Sequence, residues 1–541
     1  MPTTRRTTPE DHAAANPGDA AGLRAVAADT AALLRDNAVP IALLVALQFA
    51  VHHAFFTYFV FTNHSLPNVF VTPYPSYRTL SEGRWLADIV IWLQGGAGVA
   101  PLLMFLAAAL QAANGFVLAH AAGLTRRADM VLVAALLCFH PAFLDYFSFS
   151  IDHLVFVLGD AFAVAGFVLL ARGRMSIATG VAAALLFMAS IATYQPKIAL
   201  VALFGALAVA LRARGNARAV AGVAGFVAAV LLGAVALYAL SLVATLQDAF
   251  GGRLDPSDVS RNRINSLPQM LAALRDAFAG LPARYPIEFD FLPRLFAWLP
   301  AALVVAGAAA LLRRAWRGGG VAALVLAALA LAAVPVALRL ANVINAEAWP
   351  NAGRITFVHG YALALFVAVA LAAGIGRRVL LGAGAAALYF MVVMGAQESN
   401  AAAFKTTYDL NTINRIVARI EAAAPDLRSG PRPVVVLGLY PAFQRDRYVR
   451  AGRGYPPGGV PRVHARTHAF PEYRQPDILN HFVGRDAFRA PTRAEAEAAS
   501  ASAAGRAPWP APDAVWLQDG TVVVLLEPVR AGMPRTWSVE R

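Results

Sequence analysis

Eleven stretches of mostly apolar residues divide this chain: roughly 39–61, 98–122, 129–147, 153–171, 176–193, 195–211, 219–245, 291–312, 320–342, 355–374 and 379–396. A helix needs about 20 apolar residues to cross a bilayer. No water lies inside that layer, so a crossing segment must satisfy its own backbone amides, and a helix does this. The pattern therefore predicts a polytopic α-helical membrane protein with about 11 transmembrane helices. Composition agrees: 58% of the 541 residues are hydrophobic and 14% are charged, against about 25% charged in ordinary soluble domains.

The loops carry the orientation. Arg126–Arg127, Arg172 and Arg174, Arg212, Arg214 and Arg218, Arg313, Arg314 and Arg317, and Arg377–Arg378 fall on one side if all the spans are real. The N-terminal tail, with Arg5, Arg6, Arg24 and Arg35, shares it. The positive-inside rule makes that side cytoplasmic. An odd number of crossings puts the C-terminal region outside. The tail lacks the short apolar core of a cleaved signal peptide, so the first span is expected to act as an uncleaved anchor. The net charge of +14 is nearly all arginine, with Lys197 and Lys405 the lysines. Because these arginines lie between apolar segments, they read as topology signals and phosphate-facing groups, and no nucleic-acid partner is expected. Cys138 stands in an apolar run, where a small buried residue is the plain reading.

The expected organisation is a cytoplasmic tail (1–38), a transmembrane domain (39–397) and an extracytoplasmic α/β domain (398–541). Within the transmembrane domain, 79–95 reads as an outer interfacial helix and 246–290 as a long outer loop. The helix is "TLSEGRWLADIVIWLQG", where Arg84 and Asp88 are one turn apart and can pair, and glycines close its end. It is either a packing helix at the interface or a wall of a lipid-substrate cleft. In the last region, 409–424 has helical spacing, "PVVVLGLY" reads as a buried strand, and "AVWLQDGTVVVLLEP" as a hairpin turning at Asp519–Gly520.

Chemistry-bearing residues collect on the outer side. Asp145, Asp152 and Asp160 lie in or after "FHPAFLDYFSFSIDH", and Asp160 has almost only apolar neighbours. Carboxylates at membrane depth are expensive and serve ions, protons, catalysis or a nearby base such as His153 or Lys197. Pro196 breaks a helix at "ATYQPKIAL", clustering Tyr194, Gln195 and Lys197 at the break. "NAEAWPNAGR" ends in Arg354, a phosphate ligand or an interface anchor. His140 and His153 lack metal spacing. Phosphate-loop, His-Glu-x-x-His and Gly-x-Ser-x-Gly motifs are absent. No cofactor is expected, with a divalent metal left open.

The order of an outer "GRWL" helix, an outer "HPAFLDYFSFSID" turn, a "YQ" turn, a loop ending in arginine before a span, and a small α/β tail resembles the serotype-converting O-antigen glucosyltransferases. The likeness runs over about 40–530. It implies a GT-C-like fold in the bacterial cytoplasmic (inner) membrane. It also implies transfer of a hexose, typically glucose, from a polyprenyl-phosphate sugar to a lipid-linked or envelope glycan outside the cytoplasm. The family's acids are expected just upstream of "GRWL"; here "TPYPSYRTLSEGRWL" has none before Glu82. Arg78 and Arg84 match the expected basic positions. Such a transfer needs a base for the acceptor hydroxyl and positive charge for the departing phosphate. Glu82, Asp145 and Asp152 are candidates for the base. Arg78, Arg84, Tyr194, Gln195, Lys197 and Arg354 are candidates for the substrate and its phosphate. A transporter, flippase or polymerase of lipid-linked saccharides would use the same cavity and arginines. A structural protein whose tail binds an envelope partner is a further alternative.

Overall fold

The computed structural model describes residues 19–57, 79, 82–96, 101–149, 151–249, 265–279, 294–345, 356–374, 376–426, 430–438 and 475–528. Arg78 and Arg354 lie outside the described residues, as do 58–78, 250–264, 280–293 and 346–355, which the sequence assigns mainly to outer loops.

The molecule is mostly helical. Among the described residues, six helices are long and apolar enough to cross a membrane, or up to eight if each of two bent pairs forms one span. The first bent pair joins Ala21–Asp36 to Ala38–Val51 at 63°. The second is bent by 55° between Arg127–Cys138 and the turn from Pro141. Its cause is local: proline cannot continue a helix and pushes the residue before it into extended backbone. His140 sits at φ −62°, ψ 129°, and its ring accepts the Ala142 amide.

Burial separates the core from the rim. Every residue of the Val358–Ala372 helix from Val358 to Leu371 is buried, so this helix, apolar all round, runs through the middle of the bundle. The Ala217–Ala249 helix is mostly uncovered. Small residues allow the tight crossings typical of membrane bundles. A Cβ on Gly115 would lie 2.5 Å from Cα of Ala134, and one on Gly307 would lie 2.4 Å from the Phe366 carbonyl oxygen. The Leu299–Ile344 helix is two helices meeting at Gly320, whose φ of 63° and ψ of −147° are non-helical.

The Arg377–Ala423 helix runs without a break from an apolar segment into a small α/β layer. Position 397–398, where sequence places a domain boundary, lies inside it. Strands β1 (Arg432–Leu437), β2 (Phe488–Arg489), β3 (Val515–Gln518) and β4 (Thr521–Leu525) form one sheet in the order β2-β1-β4-β3. β1 is parallel to β2 and β4; β3 and β4 are an antiparallel hairpin. The hairpin turns at Asp519 (φ 46°) and Gly520 (φ 81°), the paired positive dihedrals that a two-residue turn of this sequence requires. Alternation gives the sheet two apolar faces. Val434 and Val436 pack on Ile413, Ile416 and Ile420 of the long helix. Val435 and Leu437 pack with Ala496 and Ala499 of the Arg493–Ser502 helix.

Candidate functional site

Arg84 is held from three sides. Its Nε donates to Oε1 of Gln195 at 3.0 Å. Its Nη1 lies 2.8 Å from Oε2 of Glu82. Its guanidinium carbon stands 4.5 Å from the centre of the Tyr194 ring, within cation–π range. Two distant pieces of sequence therefore meet here: the turn before the Trp85–Leu93 helix, and the break between the Ile177–Thr193 and Ile198–Arg212 helices.

The turn differs from the helix expected over 79–95. The described helix begins only at Trp85, with Arg84 as its N-cap at φ −94°, ψ 52°. Gly83 has φ 68°, a left-handed geometry that glycine adopts without a Cβ penalty. That reversal brings Glu82 to Arg84, which two-residue spacing on a regular helix would forbid. Asp88, the partner expected for Arg84, instead accepts from the Thr79 hydroxyl at 2.6 Å and the Thr79 amide at 3.3 Å. The helix ends as predicted at Gly95 and Gly96, where the Gly96 amide reaches back to the Ile91 carbonyl at 2.9 Å. The outward-facing Ala217–Ala249 helix clamps the turn: the Tyr238 hydroxyl donates to the Gly83 carbonyl, and the Trp85 indole donates to Ser241, each at 3.2 Å.

The second part of the site is a buried ion pair. Asp160 and Lys197 are both fully buried and bonded to one another. The Lys197 ammonium also donates to the Tyr146 hydroxyl at 2.6 Å, and lies 3.8 Å from the centre of the Phe357 ring. Tyr146 in turn donates to Asp160 at 3.4 Å. Burying two charges is tolerable only with such pairing and added hydrogen bonds. Gly159 permits the approach: a Cβ there would fall 2.2 Å from Oγ1 of Thr193 and 3.5 Å from Cε of Lys197. Aromatic rings join the two parts. Tyr194 packs on Phe156, and Phe156 on Tyr146, each pair with centroids 4.9 Å apart.

Glu82, Arg84, Tyr194 and Gln195 are thus brought together. Lys197, two residues on, points inward to Asp160. Asp145 is half-buried in the Pro141–Ser148 turn. Asp152 is buried at the N-cap of the His153–Arg172 helix, where its carbonyl accepts the Phe156 amide at 2.8 Å. Its neighbour Ile151 packs with Val155 against Ala87 and Ile91 of the Trp85–Leu93 helix. Sequence reasoning missed Tyr146, Phe357, Tyr238 and Ser241. Nothing in their local sequence marks them, because each is an ordinary residue of an apolar segment. No group of three or more His, Cys, Asp or Glu able to hold a metal occurs among the described residues.

The match to known families covers this ground. Residues 68–394 match the family model described as Glucosyl transferase GtrII. No match was found among curated proteins or solved structures. The family match spans more than half of the chain and includes every part of the site just described, so the chain belongs to the GtrII glucosyl transferase family.

Proposed function

We propose that the protein transfers glucose from a polyprenyl-phosphate donor to an O-antigen glycan, lipid-linked or at the surface, on the outer side of the bacterial cytoplasmic membrane. The family supports glucosyl transfer. The observation that carries the site assignment is the meeting of Arg84 with Glu82, Tyr194 and Gln195. Gln195 and Glu82 occupy Nε and Nη1 of the guanidinium, which aims the rest of the fork at a phosphate oxygen. Arginine recognises phosphate in this bidentate way without a metal.

In the proposed reaction the acceptor oxygen attacks C1 of the glucose while the C1–O bond to phosphate breaks. The bonding pair leaves with the polyprenyl phosphate, and the base takes the acceptor's proton. Arg84 stabilises the developing phosphate charge. Asp152 is our first choice of base, ahead of Glu82 and Asp145, because Glu82 is engaged in holding Arg84. Lys197, with Asp160, holds the helix break that presents Tyr194 and Gln195. Arg78 and Arg354 are assigned to the phosphate from the sequence pattern.

We place eleven crossings in the membrane, with the N-terminus cytoplasmic and the C-terminal α/β part outside. The break at Gly320 supports counting Leu299–Ile344 as two crossings. The short apolar helices Ile177–Thr193 and Val358–Ala372 support two more.

The deciding measurement is the mass of lipid-linked and surface glycans from cells with and without the gene. Loss of one hexose per repeat unit supports the transferase. Accumulation of an unaltered lipid-linked precursor points to a transporter, and altered chain length with unchanged repeat mass to a polymerase. Single Glu82→Gln, Asp145→Asn and Asp152→Asn variants then locate the base. If all three keep full activity, the base assignment fails.

A further inference from the structure

Away from the site, two arginines lie on docked connections with no acidic partner among the described residues. Arg214 follows the Ile198–Arg212 helix, and Arg314 lies in the Leu299–Ile344 helix. Arg314 is partly desolvated and also feels the charge of Arg214, which is itself exposed. Its Nε is buried without a hydrogen-bond partner. Neither 161–247 nor 291–346 contains a single Asp or Glu. Arg212, by contrast, spends its donors on the carbonyls of Ala171 and Gly173.

The closeness is built in by backbone. The Gly215 amide donates to the Gly318 carbonyl at 2.9 Å. A Cβ on Gly318 would lie 2.9 Å from Cγ of Arg214, and one on Gly319 would lie 2.5 Å from the Gly215 carbonyl oxygen. Gly215 itself has φ 82°. Glycines at 215, 318 and 319 therefore let one helical connection dock on another, and docking brings the two guanidinium groups to one end of the bundle. Trp316, two residues after Arg314 and 54% exposed, fits the headgroup layer where tryptophan concentrates. Like charges placed close together repel, and an anion bound between them relieves the repulsion. A buried guanidinium nitrogen without a partner fits an oxyanion acceptor, as in charge-assisted arginine–phosphate pairs.

We propose that Arg214 and Arg314 form a binding site for a phosphate-bearing anion at this end of the bundle, separate from the Arg84 site. The anion is supplied either as a phospholipid headgroup or as a free phosphate. The site is independent of the transfer reaction and holds whether or not the chain is active.

The test uses the purified full-length protein in neutral detergent. Native mass spectrometry follows retention of phosphatidylglycerol against phosphatidylcholine, with and without inorganic phosphate as competitor. An Arg214→Gln/Arg314→Gln double variant should bind phosphatidylglycerol about 30-fold more weakly, taking roughly tenfold per 1.4 kcal/mol and about 1 kcal/mol per arginine near a membrane surface. Preferential retention that inorganic phosphate does not displace identifies the lipid as the source. Displacement by millimolar phosphate, with the same dependence on the two arginines, identifies a soluble phosphate. Equal retention by wild type and variant overturns the site. A thermal midpoint measured without added anion guards against misfolding: removing the repulsion should leave the variant's midpoint equal to or above the wild-type value. A lowered midpoint would show that the two arginines are already neutralised within the protein, against the proposal.

Discussion

Replacing Arg84 by alanine removes its hydrogen bond to Gln195, its ion pair with Glu82 and its stacking on Tyr194 in one step. If Arg84 stabilises the leaving phosphate, kcat falls about 10²–10³-fold, as for loss of one preorganised donor to a developing anion. Arg84→Lys recovers little, because lysine cannot make the fork. A glucosyl-transfer assay in membranes checks both, and a wild-type rate in Arg84→Ala would remove Arg84 from the site. Asp160→Ala should act on stability, since it leaves Lys197 charged and unpaired in the core. The expected loss is about 3–5 kcal/mol, read as a lowered unfolding midpoint in detergent. The double variant Asp160→Leu/Lys197→Met should recover much of that loss, because a buried pair replaced by apolar groups is often neutral. At this scale the sequence showed where charges were out of place, and for Asp160 it also offered the partner: Lys197 was one of the two bases named for it, and the two are paired. Asp160 was conspicuous among apolar neighbours, whereas Arg84 was paired with the wrong acid. Helical spacing pointed to Asp88; the positive φ of Gly83 decided for Glu82.

Elements were more legible than contacts. Proline at 196 marks a break, the glycines at 95 and 96 end their helix, and Asp519–Gly520 turns the hairpin, because each acts through its own backbone; the bend at Pro141 instead interrupts 129–147, which the sequence reads as one span. The close helix crossing at Gly159 was not legible, since it depends on Thr193 arriving from another helix. Gly159→Ala should therefore disturb the break that carries Tyr194 and Gln195. Overpacking of this kind destabilises by about 1–3 kcal/mol, and a thermal midpoint unchanged from wild type would show that the break yields freely. In the α/β layer, Glu495 closes a capping box with Thr492 and binds Arg489 through both oxygens, at 2.6 and 3.0 Å. Hydrogen bonding from Arg489 holds its carboxyl well below the usual range, at about 2 instead of 4.5. A depressed carboxyl stabilises the fold above its ordinary value, and that contribution drains away as pH falls from about 4.5 toward about 2. Amide exchange over 492–502, compared between wild type and Glu495→Gln at each pH, should differ at pH 6 and converge near pH 2. The difference will be modest, because both partners are partly exposed.

For the whole molecule, the proposed topology predicts which loops a membrane-impermeant thiol reagent reaches in intact spheroplasts. Cysteines placed at exposed Arg313 or Arg378 should stay unlabelled, and one placed at exposed Arg493 in the C-terminal layer should react. The native Cys138 is buried and gives little background. Labelling of Arg313→Cys from outside would reverse the orientation and move the Arg84 site to the cytoplasm.

What the sequence settled alone was the solvent and the class. Runs of about 20 apolar residues leave the backbone one economical solution in a bilayer, so a bundle of membrane helices followed from hydropathy and a small sheet from strand and turn chemistry. Tertiary structure decided the partners. It set Arg84 against Tyr194 and Gln195, more than a hundred residues away, and closed Lys197 onto Asp160 and Tyr146. It also ran one helix from the apolar bundle into the sheet and docked the glycine-bearing connections that carry Arg214 and Arg314. Hydropathy and turn preferences act within a few residues of the chain, whereas these contacts depend on how separate helices cross, which the glycines, prolines and bulky rings of several segments fix together.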